Sequence, residues 1–510
     1  MRRKTAISLF ALVCAVLAAA NPGSAAAQPR YEHVVRHNAW NMGGGAAGLR
    51  LDSLSSSYAE LYAAKQNGKF VPTYGSDDSW NFGAHLKSVT HLAKVSFAGG
   101  FGFDYFTGKR MCGSMFSQPG RYPFDILEFT PGRKNLETYS FSGSISAEAG
   151  RGVILGLATD FEARSYAKRK DLRHKNNGYD FVLMPSLTYR IAPNAAVGAT
   201  YIFGKNGETV NAGEYGISST TYEAFFDRGI CYGASEIWTG NGIHLDVAGV
   251  SGFLVREFTN GAMLQGQWGS RLSSLLFYAD VSYRHTNGRT GERQTFWHEF
   301  AGDGVDAHLA ARFCRRWFVR GSFGCYGQVN SENVMHSVTE NGVTTNRKFG
   351  SNRVFVRRWL DAWLEGEYCS DRWEILFGVK WQSLDRLSLL AYPLYRTHSM
   401  GWGSLYARSR VSVGAFDIFL SLSGAAGCRS EGSGLAAADA GTVEYPASLD
   451  RYRLAEEEWF AAPRVGAGAG LRWNIRRFFV HLQVDQTYAF GTEVLGSDRF
   501  AARLGAGYRF

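Results

Sequence analysis

Three constellations in this sequence carry the residue types that binding or catalysis uses. In "NMGGGAAGLRLD" (41–52), Gly43, Gly45 and Gly48 spell G-x-G-x-x-G, the spacing that cradles a dinucleotide pyrophosphate. His308 follows Asp306 by two residues and His298 adjoins Glu299; either pair could serve a hydrolase as base and orienter beside a serine. Beyond Cys14 stand Cys112, Cys231, Cys314, Cys325, Cys369 and Cys428, whose chemistry would be metal ligation or disulfide exchange.

Each chemistry needs supporting elements, and the surroundings withhold them. A dinucleotide site wants an apolar strand before the glycines and a helix after them. Here "RYEHVVRHNAWNM" precedes Gly43, and after Gly48 the residues Leu49, Leu51, Ser53 and Ser55 alternate with Arg50, Asp52, Leu54 and Ser56. That reads as entry into a strand, so the glycines are expected to let backbone lie closely against a wall. No serine is tied to Asp306 and His308 by local spacing, and no C-x-x-C pair exists. No enzyme activity, cofactor or metal is therefore expected. Cys112, Cys231 and Cys428 fall in expected outer loops, where a bridge is allowed. Cys314 and Cys369 sit at turns two strands, or about 10 Å, apart, too far to bridge each other. Cys325 is expected to face lipid.

The chain ends set the compartment. Arg2, Arg3 and Lys4 precede the apolar run "AISLFALVCAVLAAA", and Ala25-Ala26-Ala27 offers a cleavage site, so residues 1–27 read as a secretory signal peptide. Cys14 lies within the apolar run and lacks the small residue before it that a lipoprotein site would want. Export argues against a nicotinamide enzyme. At the other end, "DRFAARLGAGYRF" alternates Phe500, Ala502, Leu504, Ala506, Tyr508 and Phe510 with polar or small residues. A final strand with Tyr508 and terminal Phe510 has the form of an outer-membrane insertion signal, and implies the barrel-assembly machinery as a partner.

Period-two segments fill the rest. "RWEILFGVKWQ" sends Trp373, Ile375, Phe377, Val379 and Trp381 one way, with Glu374, Lys380 and Gln382 the other. About eighteen such segments (range 14–18) are found, the first at 52–62 and the sixteenth at 460–474. Connections alternate between minimal turns, as at Thr90, Ala192, Cys314 and Cys369, and long loops, as between Gly204 and Ala262. The fold class expected is all-β, a transmembrane antiparallel β-barrel with short periplasmic turns and long extracellular loops. Its organisation is a signal peptide at 1–27, a Gly-rich periplasmic or lumen-entering lead segment at 28–51, and the barrel at 52–510. The 60 glycines, 25 tyrosines and 35 phenylalanines, with a mean hydropathy of −0.20, suit a membrane barrel whose two faces average out. Removing Arg2, Arg3 and Lys4 lowers the formal charge from +10 to +7, scattered rather than striped, which argues against nucleic acid and for contact with outer-membrane lipid and lipopolysaccharide.

The stretch "NMGGGAAGLRLDSLSSSYAELYA" resembles the lead segment of an uncharacterised outer-membrane barrel family of Bacteroidota-type bacteria, through Asn41, Ala47, Gly48 and Leu49. The resemblance extends over the mature chain through the strand pattern and Phe510, and implies a barrel but no activity. A weaker likeness links the same entry to fatty-acid transporter barrels, which have fewer strands.

If the apolar faces meet lipid, the alternate residues form a lumen wall. It comprises Asp160, Glu162, Arg164, Lys168, Asp280, Arg284, Asp306, His308, Arg312 and Arg320, then Asp361, Glu365, Glu367, Glu374, Lys380, His481, Asp485, Arg499, Arg503 and Arg509. Such a wall is either a permeation path whose charge sets selectivity or a salt-bridged, loop-filled interior. Acids on the strand of Asp361, Glu365 and Glu367 against arginines at 499, 503 and 509 tilt the reading toward a channel. The aromatic-rich loop from Ser218 to Gly261 could constrict or cap it. With no large N-terminal plug domain or TonB-box segment evident, the function expected is passage or uptake of a small solute without nucleotide energy. The alternative is a non-conducting barrel that anchors surface lipoproteins.

Overall fold

The computed structural model describes residues 31–51, 54–213, 222–230, 233–238, 253–269, 273–292, 295–391, 394–433 and 447–510. The expected signal peptide and Cys231 lie outside these residues. Seven long strands come first: β1 (Ser56–Asn67), β2 (Asp78–His91), β3 (Val95–Ser114), β4 (Asp125–Gly150), β5 (Val153–Lys168), β6 (Arg173–Ala192) and β7 (Ala195–Gly213). A short pair, β8 (Tyr222–Asp227) and β9 (Gly233–Trp238), follows. Then come β10 (Phe253–Trp268), β11 (Leu275–Glu292), β12 (Thr295–Phe313), β13 (Trp317–Glu340), β14 (Val343–Cys369) and β15 (Trp373–Ala391). The last five are β16 (Leu394–Val413), β17 (Phe416–Ser433), β18 (Arg464–Ile475), β19 (Phe478–Ala489) and β20 (Asp498–Arg509). Among the described residues there are two α-helices, α1 (Tyr31–His37) before β1 and α2 (Ala447–Ala461) between β17 and β18.

Every neighbouring pair is antiparallel, β7 pairs directly with β10, and β1 pairs with both β2 and β20. Eighteen strands thus close on themselves, and β8 adds to the outer end of β4 through Asp125↔Asp227 to Glu128↔Ala224. Closure leaves no unpaired edge and a bore wide enough for water.

The outward faces carry an apolar band. On β15 it runs from Trp373 through Phe377 and Val379 to Trp381, all exposed, and gives way to Ser383 and Asp385. On β20 it runs through Phe500 and Leu504, both exposed, to Tyr508. Aromatic rings gather at the short-turn end: Trp317 on Tyr368 at 4.8 Å, Phe416 on Trp473 at 6.1 Å, Phe478 on Tyr508 at 4.8 Å and Tyr508 on Phe510 at 5.3 Å. Such a girdle marks the membrane–water boundary of a transmembrane barrel. Cys325 lies exposed on this outward face. Among the described residues no helix is long and apolar enough to cross a membrane.

Several local expectations are corrected. Leu49 to Leu51 do not enter a strand: Ala46–Leu51 is a 3-10 helix, and β1 starts at Ser56. Small Ala46, Ala47 and Gly48 hold this stretch against the wall, so its period-two pattern is incidental. The segment expected as strand 460–474 begins as the end of α2, with β18 opening at Arg464. Phe253 to Gly261, read as outer loop, is strand, paired with β7 from Phe253↔Val210 onward. Above the membrane the strands keep pairing although their outward faces turn polar. The hairpin of β13 and β14 closes through Asn341 and Gly342, both at positive φ (51° and 75°), which asparagine and glycine tolerate in a tight two-residue turn. For the same reason Cys112 and Cys428 lie on β3 and β17, not in loops, and neither is bridged.

Candidate functional site: a partly filled lumen

The lead segment occupies the lumen near the short-turn end. Its first contacts are beside β1, where the Tyr31 ring lies 5.4 Å from that of Tyr58. At the end of α1 the chain reaches the far wall: Arg36 pairs with Glu374 at 2.7 Å, and His37 stacks on Phe318 at 4.0 Å with Nε2 3.3 Å from Glu367. Trp40 is then buried against Ala196, Leu276, Tyr278 and Ala310, and its indole N–H donates to Gln267 at 2.7 Å. Ala47 donates from its N–H to Ser186 Oγ at 3.0 Å and accepts from Ser146 Oγ at 3.2 Å, while Arg50 reaches the carbonyls of Leu92 and Ala93.

The glycines serve these approaches. A side chain at Gly45 would overlap Gln265, one at Gly48 would overlap Trp40, and one at Gly156 on β5 would overlap the backbone of Ala47. Close packing accounts for the glycines of the motif.

The register sets all twenty proposed wall residues opposite the apolar band, and most are paired. On β5 Asp160 stands open, Glu162 pairs with Arg164 at 2.5 Å, and Arg164 also meets Asp180 at 2.5 Å. Lys168 and Lys134 share the buried Glu128 at 2.5 and 3.1 Å. Asp280 accepts from the Tyr278 hydroxyl and has His308 Nδ1 at 2.8 Å, so His308 engages Asp280 across the strands; Asp306 faces Arg284 at 3.8 Å. Arg312 lies over the Phe318 ring at 5.8 Å.

The acidic strand is neutralised. Arg320 serves Glu365 at 2.9 Å and Glu367 at 3.2 Å, Lys380 serves Asp361 at 2.9 Å, and Glu374 takes Arg36 and Arg410. Opposing arginines are engaged too. Arg503 pairs with Glu60 at 2.8 Å over the Tyr62 ring, with His481 3.6 Å from the same carboxylate. Arg499 donates to Gln66 at 2.7 Å, Arg509 to Asn474 at 3.0 Å, and Asp485 accepts from Gln483 at 2.9 Å. The charge asymmetry read from the sequence is thus largely cancelled by contact. His298 and Glu299 do not act together, because adjacent strand residues face opposite ways: His298 lies between the Phe124 and Phe226 rings, and Glu299 pairs with Lys348.

A second filling comes from the outer end. The segment between β3 and β4, residues 115–124, folds into the lumen and buries Met115, Phe116, Tyr122 and Phe124 against Phe226, Phe253 and Phe300. On one side Ser117 donates to Glu208 at 2.8 and 3.0 Å, and Arg121 pairs with Glu257 at 3.0 Å. On the other, Arg357 of β14 donates to the carbonyls of Gly120 (2.6 Å) and Arg121 and to Gln328 Oε1 (2.8 Å). Among the described residues this segment forms a constriction, and β8 supports it, with Phe225 and Phe226 buried. Residues 218–221, 231–232 and 239–252 of the aromatic loop expected to constrict or cap the lumen lie outside the described residues.

Helix α2 caps the rim. Arg386 grips Glu456 with bonds of 3.1 and 2.9 Å, and buried Glu457 meets Arg429, Arg453 and His398. Below the helix and beside the constriction lies a cavity of 710 Å³, walled by Arg357, Trp359, Arg386, Trp402 and Trp459. Toward the short-turn end a gap of 500 Å³ runs between Arg36 of the lead segment and β15–β19, bordered by Glu374, Tyr406, Arg408, Arg472 and Asp485. The filling is one-sided. Inward polar side chains on β4–β7 and β10–β13 are widely buried, whereas none on β18–β20 is.

The α2 contact titrates. Burial and the neighbouring Glu431 push Glu457 up to about 7, whereas its hydrogen bond to Glu457 holds Glu431 below the usual carboxylate range. Burial, with Arg386 close by, lowers His398 to about 4. An undocked helix would release Glu457 to an ordinary carboxylate value and His398 to an ordinary imidazole value. The two effects oppose each other below about pH 6.5, so the docked form holds the extra proton from there to about pH 7. As pH rises through this window, docking weakens as the Glu431–Glu457 pair loses the proton it shares. Trypsin cleavage after Arg451 and Arg453 is expected to quicken severalfold from pH 6 to pH 8. Glu457→Gln, which keeps the protonated form's hydrogen bonding, should flatten the profile; an unchanged slope in that variant refutes the assignment.

Of these parts, the constriction, α2 and Arg357 escaped the sequence reading, although Phe116, Tyr122 and Phe124 in a short Pro- and Gly-containing segment were an available signal. Similarity to solved structures is slight. The ferric enterobactin receptor PfeA of Pseudomonas aeruginosa (a mutant form) is 8% identical, with 90% of this chain and 81% of that one covered and a TM-score of 0.42. The FrpB iron transporter of Neisseria meningitidis is 11% identical, with 96% and 86% covered and a TM-score of 0.40. The CymD monoaromatic hydrocarbon channel is 10% identical, with 93% of each chain covered and a TM-score of 0.32. No curated protein matches the sequence. A family model does match, over residues 46–510, the whole barrel and the end of the lead segment. With its closed eighteen-strand wall and that match, the chain belongs to the family of unknown function DUF6850.

Proposed function

We propose that the protein is an outer-membrane uptake barrel: a small solute is taken into the outer cavity and passes along the β18–β20 wall, without nucleotide energy. The one-sided filling of the lumen carries this reading. A barrel filled only for rigidity gains nothing by leaving one arc of wall uncovered, whereas a passage needs such an arc. The cavity lining supports a ring-bearing solute with an anionic group. Trp359, Trp402 and Trp459 line the cavity, with Arg357 over the first ring and Arg464 over the other two. The hydrogen bonds of Arg357 go to two carbonyls and an amide, so no carboxylate cancels its charge by contact.

Planar-bilayer recording of the refolded protein tests this. Small, steady openings are expected. Gln483→Trp, which fills the gap from an exposed lumenal position on β19, should reduce them severalfold. Silence from a folded barrel, with and without residues 31–51, would sink the uptake reading in favour of a non-conducting barrel that holds a surface partner.

A further inference from the structure

Where the lead segment meets β14, three metal-binding side chains converge. His37 Nε2, a Glu367 carboxylate oxygen and Cys369 Sγ all lie within 4.8 Å of one another. Glu367 and Cys369 are two residues apart on one strand and so share a face, and His37 comes from the segment packed on that face. The geometry points to a transition-metal site here, of the Zn²⁺ class, which staples the lead segment to the wall.

The donor set is the first argument. Imidazole, carboxylate and thiolate are the ligands Zn²⁺ takes, and three of them with water in the fourth position is an ordinary open site. Zn–N, Zn–O and Zn–S lengths of about 2.0 to 2.3 Å place ligand atoms roughly 3.3 to 3.8 Å apart in a tetrahedron. His37 Nε2 and Glu367 Oε1 are 3.3 Å apart, already at that spacing, and Cys369 Sγ, within 4.8 Å, completes the set by closing toward them.

Surrounding groups hold the ligands in place, as supporting partners of a metal site do. Arg320 donates to Glu367 Oε2 at 3.2 Å, which leaves Oε1 turned to His37. The His37 ring is stacked on Phe318, the residue directly across the ladder from Glu367. Arg36, 3.6 Å from Glu367, keeps its shorter bond to Glu374 and need not leave when a cation arrives. Arg320 and Arg36 already offset the Glu367 charge, so the affinity of the site rests on the thiolate and imidazole bonds to the ion. Binding releases the thiol proton, so it weakens as pH falls. Cys369 closes β14 beside the short turn, so an ion reaches the site from the periplasmic mouth. This inference stands apart from the uptake reading, because a staple would fix the lead segment in any barrel of this shape.

The test uses refolded full-length barrel titrated with Co²⁺ and with Zn²⁺. Co²⁺ should give a thiolate-to-metal charge-transfer band, and Zn²⁺ should bind competitively with it. Zn²⁺ should also protect Cys369, read on its own peptide by mass spectrometry, from maleimide labelling. Cys369→Ser should abolish the band, and His37→Ala should weaken binding by more than the roughly 10- to 100-fold that loss of a supporting partner costs. His37→Ala should also remove the labelling protection. Both changes lie at the mouth, and heat-modifiable mobility checks that each variant folds. A missing band in folded wild-type protein, or binding unchanged in both variants, overturns the site.

Discussion

Replacing Trp40 by alanine is expected to release the lead segment from the wall, at a cost to its docking of about 3–5 kcal/mol. The indole is almost wholly buried among Ala196, Leu276, Tyr278 and Ala310, and its N–H is matched to Gln267. Truncation removes the ring contacts and leaves the Gln267 oxygen without its donor. The ion pairs at Arg36 bury little apolar surface, and the buried Ala46, Ala47 and Leu49 bring smaller side chains to the wall than the indole does. Hydrogen exchange across residues 39–51 should rise sharply, and single-channel conductance should rise severalfold toward the level seen when residues 31–51 are deleted. Trp40→Phe, which keeps the ring and loses only the N–H, should lie much nearer to wild type. Unchanged exchange and conductance in Trp40→Ala would show that the Arg36 ion pairs and the buried 46–49 stretch hold the segment without the indole.

The second large effect is expected at the outer end. Arg357→Met keeps much of the side-chain bulk but removes both hydrogen bonds by which Arg357 ties the constriction to β14. The carbonyls of Gly120 and Arg121 and the Gln328 oxygen each lose a donor, at about 1–3 kcal/mol apiece where burial persists. The constriction should swing away from that wall while Ser117 and Arg121 hold its other side. Trypsin cleavage after Arg121 should quicken by more than tenfold, a change of about 1.4 kcal/mol in the local opening equilibrium. Conductance should rise as well. Trp40 and Arg357 share no partner, so their effects on stability should add in the double variant. A cleavage rate equal to wild type in Arg357→Met would mean that the buried aromatic cluster alone fixes the constriction.

The wall was legible in the sequence because lipid imposes a rule on every second residue. Trp373, Phe377 and Trp381, or Phe500 and Leu504, have one solvent to satisfy, and their spacing repeats on strand after strand. Where lipid ends the rule ends, so the upper halves of β10, β13 and β14 read as loop although the ladder continues. Pairing there rests on backbone hydrogen bonds and on turns such as Asn341–Gly342, which leave little trace in a hydropathy pattern. The interior was legible only as composition. That Glu60, Glu365 and Glu367 would be inward and charged follows from parity, but their partners Arg503 and Arg320 are fixed by registers no local pattern shows. The same holds for α2. Its Arg453 and Glu457 form an i,i+4 pair, yet its end at Phe460 and Ala461 flows into strand-like residues and so read as the start of β18.

The seam between β1 and β20 has a consequence for how the molecule is made. It joins residues as remote as Glu60 and Arg503, 443 positions apart, and the lead segment's tie from Arg36 to Glu374 spans 338. Contacts so distant form late, because the chain must lose loop freedom before they repay it. The first-made residues therefore wait for most of the chain, and a finished ring admits nothing sideways. Trp40 and its neighbours must be seated before the seam zips, or threaded afterwards through the periplasmic mouth. In the first order of events the filling acts as a mandrel around which β5 to β14 are laid. Refolding of the 31–51 deletion, slower than wild type in that case and equal to it in the other, reads out the order directly.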